Sequence, residues 1–473
     1  MPVTYPFHST IKKRLSDTTT PVSIYLRIRD RYPNSILLES ADYQPGERCF
    51  SYICCDPISE FKVAHEQIHE HYPDGTKYTH PITERKDVER RLQAFCDQFS
   101  NECPPEFDFL ANGFFGYMAY DCIRYFDELN VQDDPDDSRD IPDIIYNVYR
   151  FIIAIDHYKN ELFLIENTLK GSPEDNAPLT QLEYLIDHKD FPSYPFKVDG
   201  EEFSNFVEDE YIDAVEQCKK HIFRGDVFQI VPSRRFSQPF QGDEFNVYRA
   251  LRSINPSPYL FYFDYGNFKL FGSSPEAQLV IQNNKASLHP IAGTYKRTGD
   301  QDVDMQAIEA LRLDPKENAE HVMLVDLARN DLSKHCHDVH VEVFKQVQLY
   351  SHVIHLTSKV TGTMGAQAQV VSLLSDTFPM GTLSGAPKYR ALELLDRYEK
   401  GRRRAYGGAI GNIGFDGSCN HAIIIRSFLS KQNVLHSQAG GGVVADSDPH
   451  SELQEVNNKL RALKTALAMA EEI

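Results

Sequence analysis

Up to about residue 170 the chain alternates apolar and polar positions in short runs, as in "FKVAHEQIHEHY" and "YRFIIAIDHYKNELFLIEN". A period of two is that of strands with one buried face, and Tyr158-Lys159-Asn160 separates two such runs as a hairpin turn does. The spacing changes in "PEDNAPLTQLEYLIDHK", which predicts a helix. The proline-rich, mixed-charge stretch "DFPSYPFKVDGEEF", residues 190 to 203, reads as a connector. It divides the chain near residue 195 into an N-terminal region, 1–195, and a second region, 196–473.

Beyond the connector, Tyr211, Val215, Cys218 and Ile222 fall four, three and four apart, the stripe of a helix that ends at Gly225 before a strand in "VFQIVPS". Hairpins are expected at Tyr265-Gly266-Asn267 and Asn283-Asn284, strands in "VHVEVFKQV" and "AYGGAIGNIGFDGSCNHAIIIRS", and a long closing helix from Pro449. Strands joined by tight turns are antiparallel, so the expected class is α+β rather than a doubly wound parallel sheet.

Composition narrows the function. With 49 basic and 69 acidic residues the formal charge is −20, which argues against nucleic acid or an anionic membrane as a partner. No apolar run is long enough to span a bilayer and the first residues lack the apolar core of a secretory signal, so a cytoplasmic location is expected. The nine cysteines show no zinc spacing and are expected to be reduced. Tryptophan is absent.

Two helix starts share one grammar. In "DPKENAEHVMLVDLARN", Asp314-Pro315 is a cap followed by proline at the first helical position, and Glu317 and Glu320 follow one turn apart. In "DSDPHSELQEVNNKL", Asp448-Pro449 opens a helix carrying Glu452 and Glu455 at the same spacing. One such pair is ordinarily a solvated face, and Glu317 alone fits a capping box. Four carboxylates brought together need a hard cation, and an all-oxygen set selects Mg²⁺. Because Mg²⁺ takes few protein carboxylates directly, a substrate anion is expected on it. Gly440, Gly441 and Gly442 in "QAGGGVVADS" leave backbone N–H groups open to a ligand, and Arg426 and Lys459 add positive charge. The expected substrate is small and carries two carboxylates. "GTLSGAPK" fails as a phosphate loop, since Pro387 precedes Lys388 and Tyr389 follows it, and no GxGxxG follows a strand.

Together "HPIAGTYKRTG", "DPKENAEHVMLVDLARNDL", "GTLSGAPK", "YGGAIG" and "QAGGGVVADSDPHSELQEVNNK" resemble the chorismate-utilising enzymes over about residues 205 to 470. "SILLESAD" and "NPSPYLFYFD" look like the tryptophan-sensing elements of that family's anthranilate-forming branch. The resemblance implies large antiparallel β-sheets in a sandwich flanked by helices, with regulation in the N-terminal region and chorismate bound in the second. It implies that Glu320 and Glu455 ligate Mg²⁺ and that Glu317 and Glu452 act mainly through metal-bound water. It places Tyr406 and Arg426 on the enolpyruvyl carboxylate, with Gly440, Gly441, Gly442, Thr294 and Lys459 at the ring end, beside Ala292, Gly293 and Thr382. Glu276 in "GSSPEAQ" matches the general acid for the departing 4-hydroxyl, and His355 the histidine associated with loss of pyruvate. A tryptophan pocket is implied at Leu38, Glu39, Ser40, Asn255, Pro256, Ser257, Pro258, Tyr259 and Leu260. The chain departs from the family's usual pattern at Lys359 and in its Gly-Gly-Gly loop.

Two positions separate the branches. Gln229 stands where the isochorismate and salicylate branch carries a lysine base; an amide cannot deprotonate water, whereas neutral ammonia needs no base. Ala292 stands where typical aminodeoxychorismate synthases place a nucleophilic lysine. The expectation is direct ammonia addition, then loss of pyruvate to give anthranilate. No Gly-x-Cys-x-Gly elbow surrounds any cysteine, so ammonia is expected from a separate glutamine amidotransferase subunit, with L-tryptophan as inhibitor. The rival readings are the para-aminobenzoate branch and a tryptophan-binding subunit without catalysis.

Overall fold

The closing helix, Pro449–Ala470, shows how the sequence builds the core. Leu453, Val456, Leu460, Leu463 and Leu467 recur at steps of three and four, and all are buried. Each such burial is worth roughly 1.5–3 kcal/mol relative to exposure. Their stripe packs on the helices Glu208–Phe223 and Phe245–Ile254. Asp448 caps it, its carboxylate accepting from Ser451 N–H at 2.8 Å, as the Asp-Pro signature requires.

This computed structural model describes residues 4–473 except 41–48, 105–106, 108, 130, 132–133, 135–136, 173–176, 189 and 350–352. The side chains of Thr294, Lys296, Lys316 and Val353 lie outside that description as well. Among the described residues, nearly all strands join one hydrogen-bonded network that closes on itself, with helices packed outside it. The pairings are antiparallel as expected for this α+β fold, apart from Tyr5–Leu15 with Phe99–Glu102, which is parallel. The turns at Tyr158-Lys159-Asn160, Tyr265-Gly266-Asn267 and Asn283-Asn284 form as expected, with Asn160, Asn283 and Asn284 at positive φ.

Two local expectations are corrected. The stretch 190 to 203 is not a bare connector, because Phe196–Val198 within it pairs with the strand Ser233–Gly242. "VFQIVPS" is not one strand: Gln229–Ile230 pairs with Gly385–Ala386, and the ladder restarts at Ser233. Proline 232 cannot donate to a ladder, and the polar groups around the break are satisfied otherwise. Arg403 donates to Val231 O at 2.7 Å and Tyr211 to Pro232 O at 3.1 Å.

Strands from either side of residue 195 hydrogen-bond directly. Ile36–Glu39 lies against Tyr259–Asp264, and Gly113–Met118 against Ala409–Gly414. The strand Tyr259–Asp264 continues the ladder to Phe268–Ser274, which leads through Pro275 to Glu276. This ribbon runs from the N-terminal elements to the candidate site.

Candidate functional site

Glu276 sits at the bend between Phe268–Ser274 and Ala277–Gln282, fully enclosed, its carbonyl accepting from Ile423 N–H at 3.0 Å. Burial pushes its carboxyl from the ordinary 4.5 up to about 8, against smaller opposing effects of the Thr382 hydroxyl and the Lys459 charge. Thr382, on the short helix Gly381–Ser384, donates to Glu276 Oε1 at 3.1 Å. The site therefore holds a carboxylic acid that keeps its proton at neutral pH.

The two acidic helices meet at the glycine loop. Gln229 Nε2 donates to Glu320 Oε1 at 2.7 Å. A Cβ on Gly442 would stand 2.7 Å from that amide nitrogen and 3.5 Å from Glu320 Oε1, and one on Gly441 would stand 2.7 Å from Glu452 Oε2. Only residues without a side chain allow this approach. Glu317 lies by the opposite wall, 3.2 Å from where a Cβ on Gly293 would be. Its backbone N–H donates to Asp314 Oδ1, the cap expected from the Asp-Pro start. Glu455 is half exposed and bridged to Lys459 at 2.7 Å, while Lys459 also donates to Gly440 O at 2.8 Å.

Gly293 has φ +68° within a bulge of the strand Ile291–Lys296 against Val353–Met364, where Ala292 pairs with Leu356 and Thr294 with His355. The bulge turns the Gly293 carbonyl onto His355 Nδ1 at 2.8 Å. Burial lowers the His355 pKa to about 4, so the ring is neutral at pH 7. With the proton on Nδ1, Nε2 is left as the basic nitrogen. The Thr294 side chain lies outside the described residues.

Tyr406 and Arg426 face the same region. Burial raises the Tyr406 pKa to about 12, against the opposing effects of the Arg403 charge and the Gly440 backbone, so it remains a neutral donor. Among the described residues the Arg426 guanidinium makes no hydrogen bond, although burial disfavours its charge and Tyr406 and Glu455 support it. Five N–H donors on a desolvated cation suit a carboxylate. The structure thus gathers Gln229, Glu276, Thr382, the 292–294 bulge, His355, Tyr406, Arg426, the glycine loop and both acidic helices at one place.

The residues fit a hard cation only with ligands from outside the chain. Every candidate donor is oxygen, and the Glu320 and Glu452 carboxylates lie against successive loop glycines. Among the described residues no three His, Cys, Asp or Glu side chains converge into a self-sufficient metal centre. Few carboxylates, with water and a substrate anion completing six oxygens, is the arrangement Mg²⁺ favours.

Sequence reasoning missed His321, beside Glu320 on the helix Pro315–Ser333. It is buried and shares a hydrogen bond of 2.6 Å with the Ser358 hydroxyl, tying that helix to the strand of His355. A histidine following the acidic pair was the available signal.

The expected tryptophan elements also come together. Glu39 pairs with Leu260 and Leu38 with Phe261, while Tyr259 pairs with Ser274. Asn255 ends the helix Phe245–Ile254, its carbonyl accepts from the Ser273 hydroxyl, and Pro256, Ser257 and Pro258 lead into Tyr259. The Glu39 carboxylate is buried, accepting from Tyr248 OH at 2.6 Å and Arg252 Nε at 2.9 Å. Ser40 O accepts from Cys49 Sγ at 3.4 Å.

The model for a chorismate binding enzyme matches residues 34–465. Anthranilate synthase component 1 of Aquifex aeolicus is 35% identical, covering 97% of this chain and 94% of that protein. Its counterpart in Lactococcus lactis is 36% identical over 96% and 98%. The crystal structure of anthranilate synthase component I from Streptococcus pneumoniae superposes with a TM-score of 0.78 at 29% identity, covering 96% of this chain and 99% of that one. The menaquinone-specific isochorismate synthase of Escherichia coli, 19% identical with a TM-score of 0.73, shares the fold. On a family match spanning most of its length and relatives of this identity over nearly the whole chain, the protein belongs to the chorismate binding enzymes.

Proposed function

We propose that the chain adds ammonia to chorismate and eliminates pyruvate to give anthranilate. The observation that carries this reading is Glu276, a buried carboxyl whose pKa of about 8 keeps it protonated in spite of the Lys459 charge. Such a group donates a proton to a leaving hydroxyl at neutral pH.

Arg426 and Tyr406 bind the enolpyruvyl carboxylate, and the amides of Gly440, Gly441 and Gly442 with Lys459 and Thr294 position the ring. Glu320 and Glu455 would hold Mg²⁺ directly, Glu317 and Glu452 through water, and the ion supplies positive charge against the ring carboxylate. Ammonia bonds to C2 as the ring double bonds shift and the C4–O bond breaks. Glu276 protonates the departing hydroxyl, which leaves as water. His355 Nε2 then takes the C2 proton as the C3–O bond breaks and the ring becomes aromatic, and the enolpyruvate released is protonated to pyruvate.

The nucleophile is ammonia because Gln229 cannot take a proton from water and Ala292 cannot attack the ring. We further propose Mg²⁺ as cofactor, L-tryptophan as inhibitor at the Glu39–Ser40 and 255–260 elements, and a separate glutamine amidotransferase subunit as the source of ammonia. The relatives' names, component 1, support a partner subunit. The test incubates the purified chain with chorismate, an ammonium salt and Mg²⁺. Fluorescent anthranilate is expected; accumulation of an aminodeoxychorismate would move the chain to the para-aminobenzoate branch, and no product would leave a regulatory subunit.

A further inference from the structure

A second cationic cavity lies behind Tyr406, apart from the reacting centre. The strands Ser233–Gly242, Ser427–Lys431 and Val434–Gly440 are neighbours, with Arg235 opposite Gln438 and Leu429 opposite His436. Side chains alternate across a sheet, so Arg235, Gln438, His436, Leu429 and Ser427 share one face. Arg139, Arg403, Ala405 and Tyr406 close over them, leaving a cavity of about 20 Å³. That volume admits roughly one water-sized occupant.

The charges around it do not balance locally. Arg403 is bound to Glu399, and Arg139 shares Asp137 with Arg404. Arg235 has no counterpart: among the described residues its guanidinium makes neither a hydrogen bond nor an ion pair. Burial and the Arg139 charge lower its pKa to about 10, and Asp137, Asp134 and Glu399 only partly offset this. His436, hydrogen-bonded to the Ser237 hydroxyl at 2.8 Å, is held neutral by burial and by the same two arginines. A largely buried cation without an acceptor among the described residues is costly. The space beside it is too small for a phosphate or a carboxylic acid.

We propose that this cavity binds one monoatomic anion, a halide, between Arg235 and Arg139. The anion supplies the acceptor that Arg235 lacks and relieves its repulsion with Arg139. Because Tyr406 forms one wall, the anion also fixes the back of the ring that faces the substrate region.

The test soaks crystals of the full chain in sodium bromide and records anomalous scattering at the bromine edge. A peak within hydrogen-bond reach of Arg235 and Arg139 is expected; a water, an empty cavity or the Asp134 carboxylate there overturns the proposal. In solution, thermal unfolding is compared in sodium chloride and in sodium gluconate at equal ionic strength, for the wild type and for Arg235→Met. The melting temperature should rise by a few degrees in chloride over gluconate in the wild type, and the difference should vanish in the variant. Equal melting in the two salts for the wild type, or an undiminished chloride effect in Arg235→Met, overturns it.

Discussion

Gln229 Nε2 and Glu320 Oε1 lie 2.7 Å apart, linking a two-residue ribbon to an acidic helix 91 positions away in sequence. The carboxylate can only accept, so the amide NH₂ must face it. Gln229→Leu removes that donor from a carboxylate proposed to hold the metal. We expect kcat/KM for chorismate and ammonia to fall roughly 10- to 100-fold, with a higher Mg²⁺ requirement, on the basis of 1.5–3 kcal/mol for a bond to a charged group. Anthranilate fluorescence against Mg²⁺ concentration reads both; unchanged curves would remove Gln229 from the site.

Gly442→Ala should act on the same contact without altering either partner. Its methyl would sit 2.7 Å from Gln229 Nε2, so the amide must move off Glu320. Steady-state kinetics should resemble those of Gln229→Leu, and a double variant should cost little more than either single change. Additive losses would show that the loop acts elsewhere.

Glu276 predicts two pH dependences. As the proton donor it is lost as pH rises through about 8, so turnover with chorismate should decline above that value, and Glu276→Gln should be nearly inactive throughout. Stability follows from the same shift. The folded pKa, about 8, is raised above the ordinary 4.5, so the native state keeps a proton that the unfolded chain loses. Stability from this group is complete below 4.5 and falls as pH rises to about 8, by up to about 1.4 kcal/mol per pH unit. Urea unfolding of the wild type and Glu276→Gln at acid, neutral and alkaline pH checks this, since the variant should lack that slope.

Arg426→Met removes five donors that have no described acceptor in the free protein. The KM for chorismate should rise roughly 30-fold or more, with Arg426→Lys intermediate because an ammonium cannot form the two-pronged contact. Melting temperature should hold steady or increase, since a desolvated, unbonded charge is removed. A fall in stability with unaltered KM would contradict the assignment.

Glu39→Ala leaves the enclosed Tyr248 hydroxyl without its acceptor, which costs about 1–3 kcal/mol in urea unfolding. Inhibition by tryptophan should weaken with it. Ser40→Phe should abolish inhibition while sparing the uninhibited rate, and a variant that still responds normally to tryptophan would refute the pocket.

The parts legible in the sequence were those written locally. Asp314-Pro315 and Asp448-Pro449 announced both helix starts, and the asparagine turns announced their hairpins, because caps and left-handed turns depend on a few adjacent residues. The break at Val231-Pro232 is not written locally, since its repair relies on Arg403 and Tyr211, far off in the chain. Arg235 could not be singled out at all. Its isolation is a property of which neighbours the register denies it, and register across distant strands has no local signature. The acidic helices were expected to converge; the bridge of Lys459 to Glu455 and the contact of Glu320 with Gln229 required the fold.

The ribbon from Ile36–Glu39 through Tyr259–Asp264 to Phe268–Ser274 ends immediately before the Pro275-Glu276 bend. A sheet ladder is stiff along its length, so the inhibitor proposed at its near margin would displace the acid with few joints to absorb the strain. Changes aimed at the proposed tryptophan inhibition belong on the Ile36–Glu39 side of this ribbon, at positions other than Glu39, whose carboxylate holds Tyr248. Changes made on Tyr259–Asp264 would trade away throughput along with restraint.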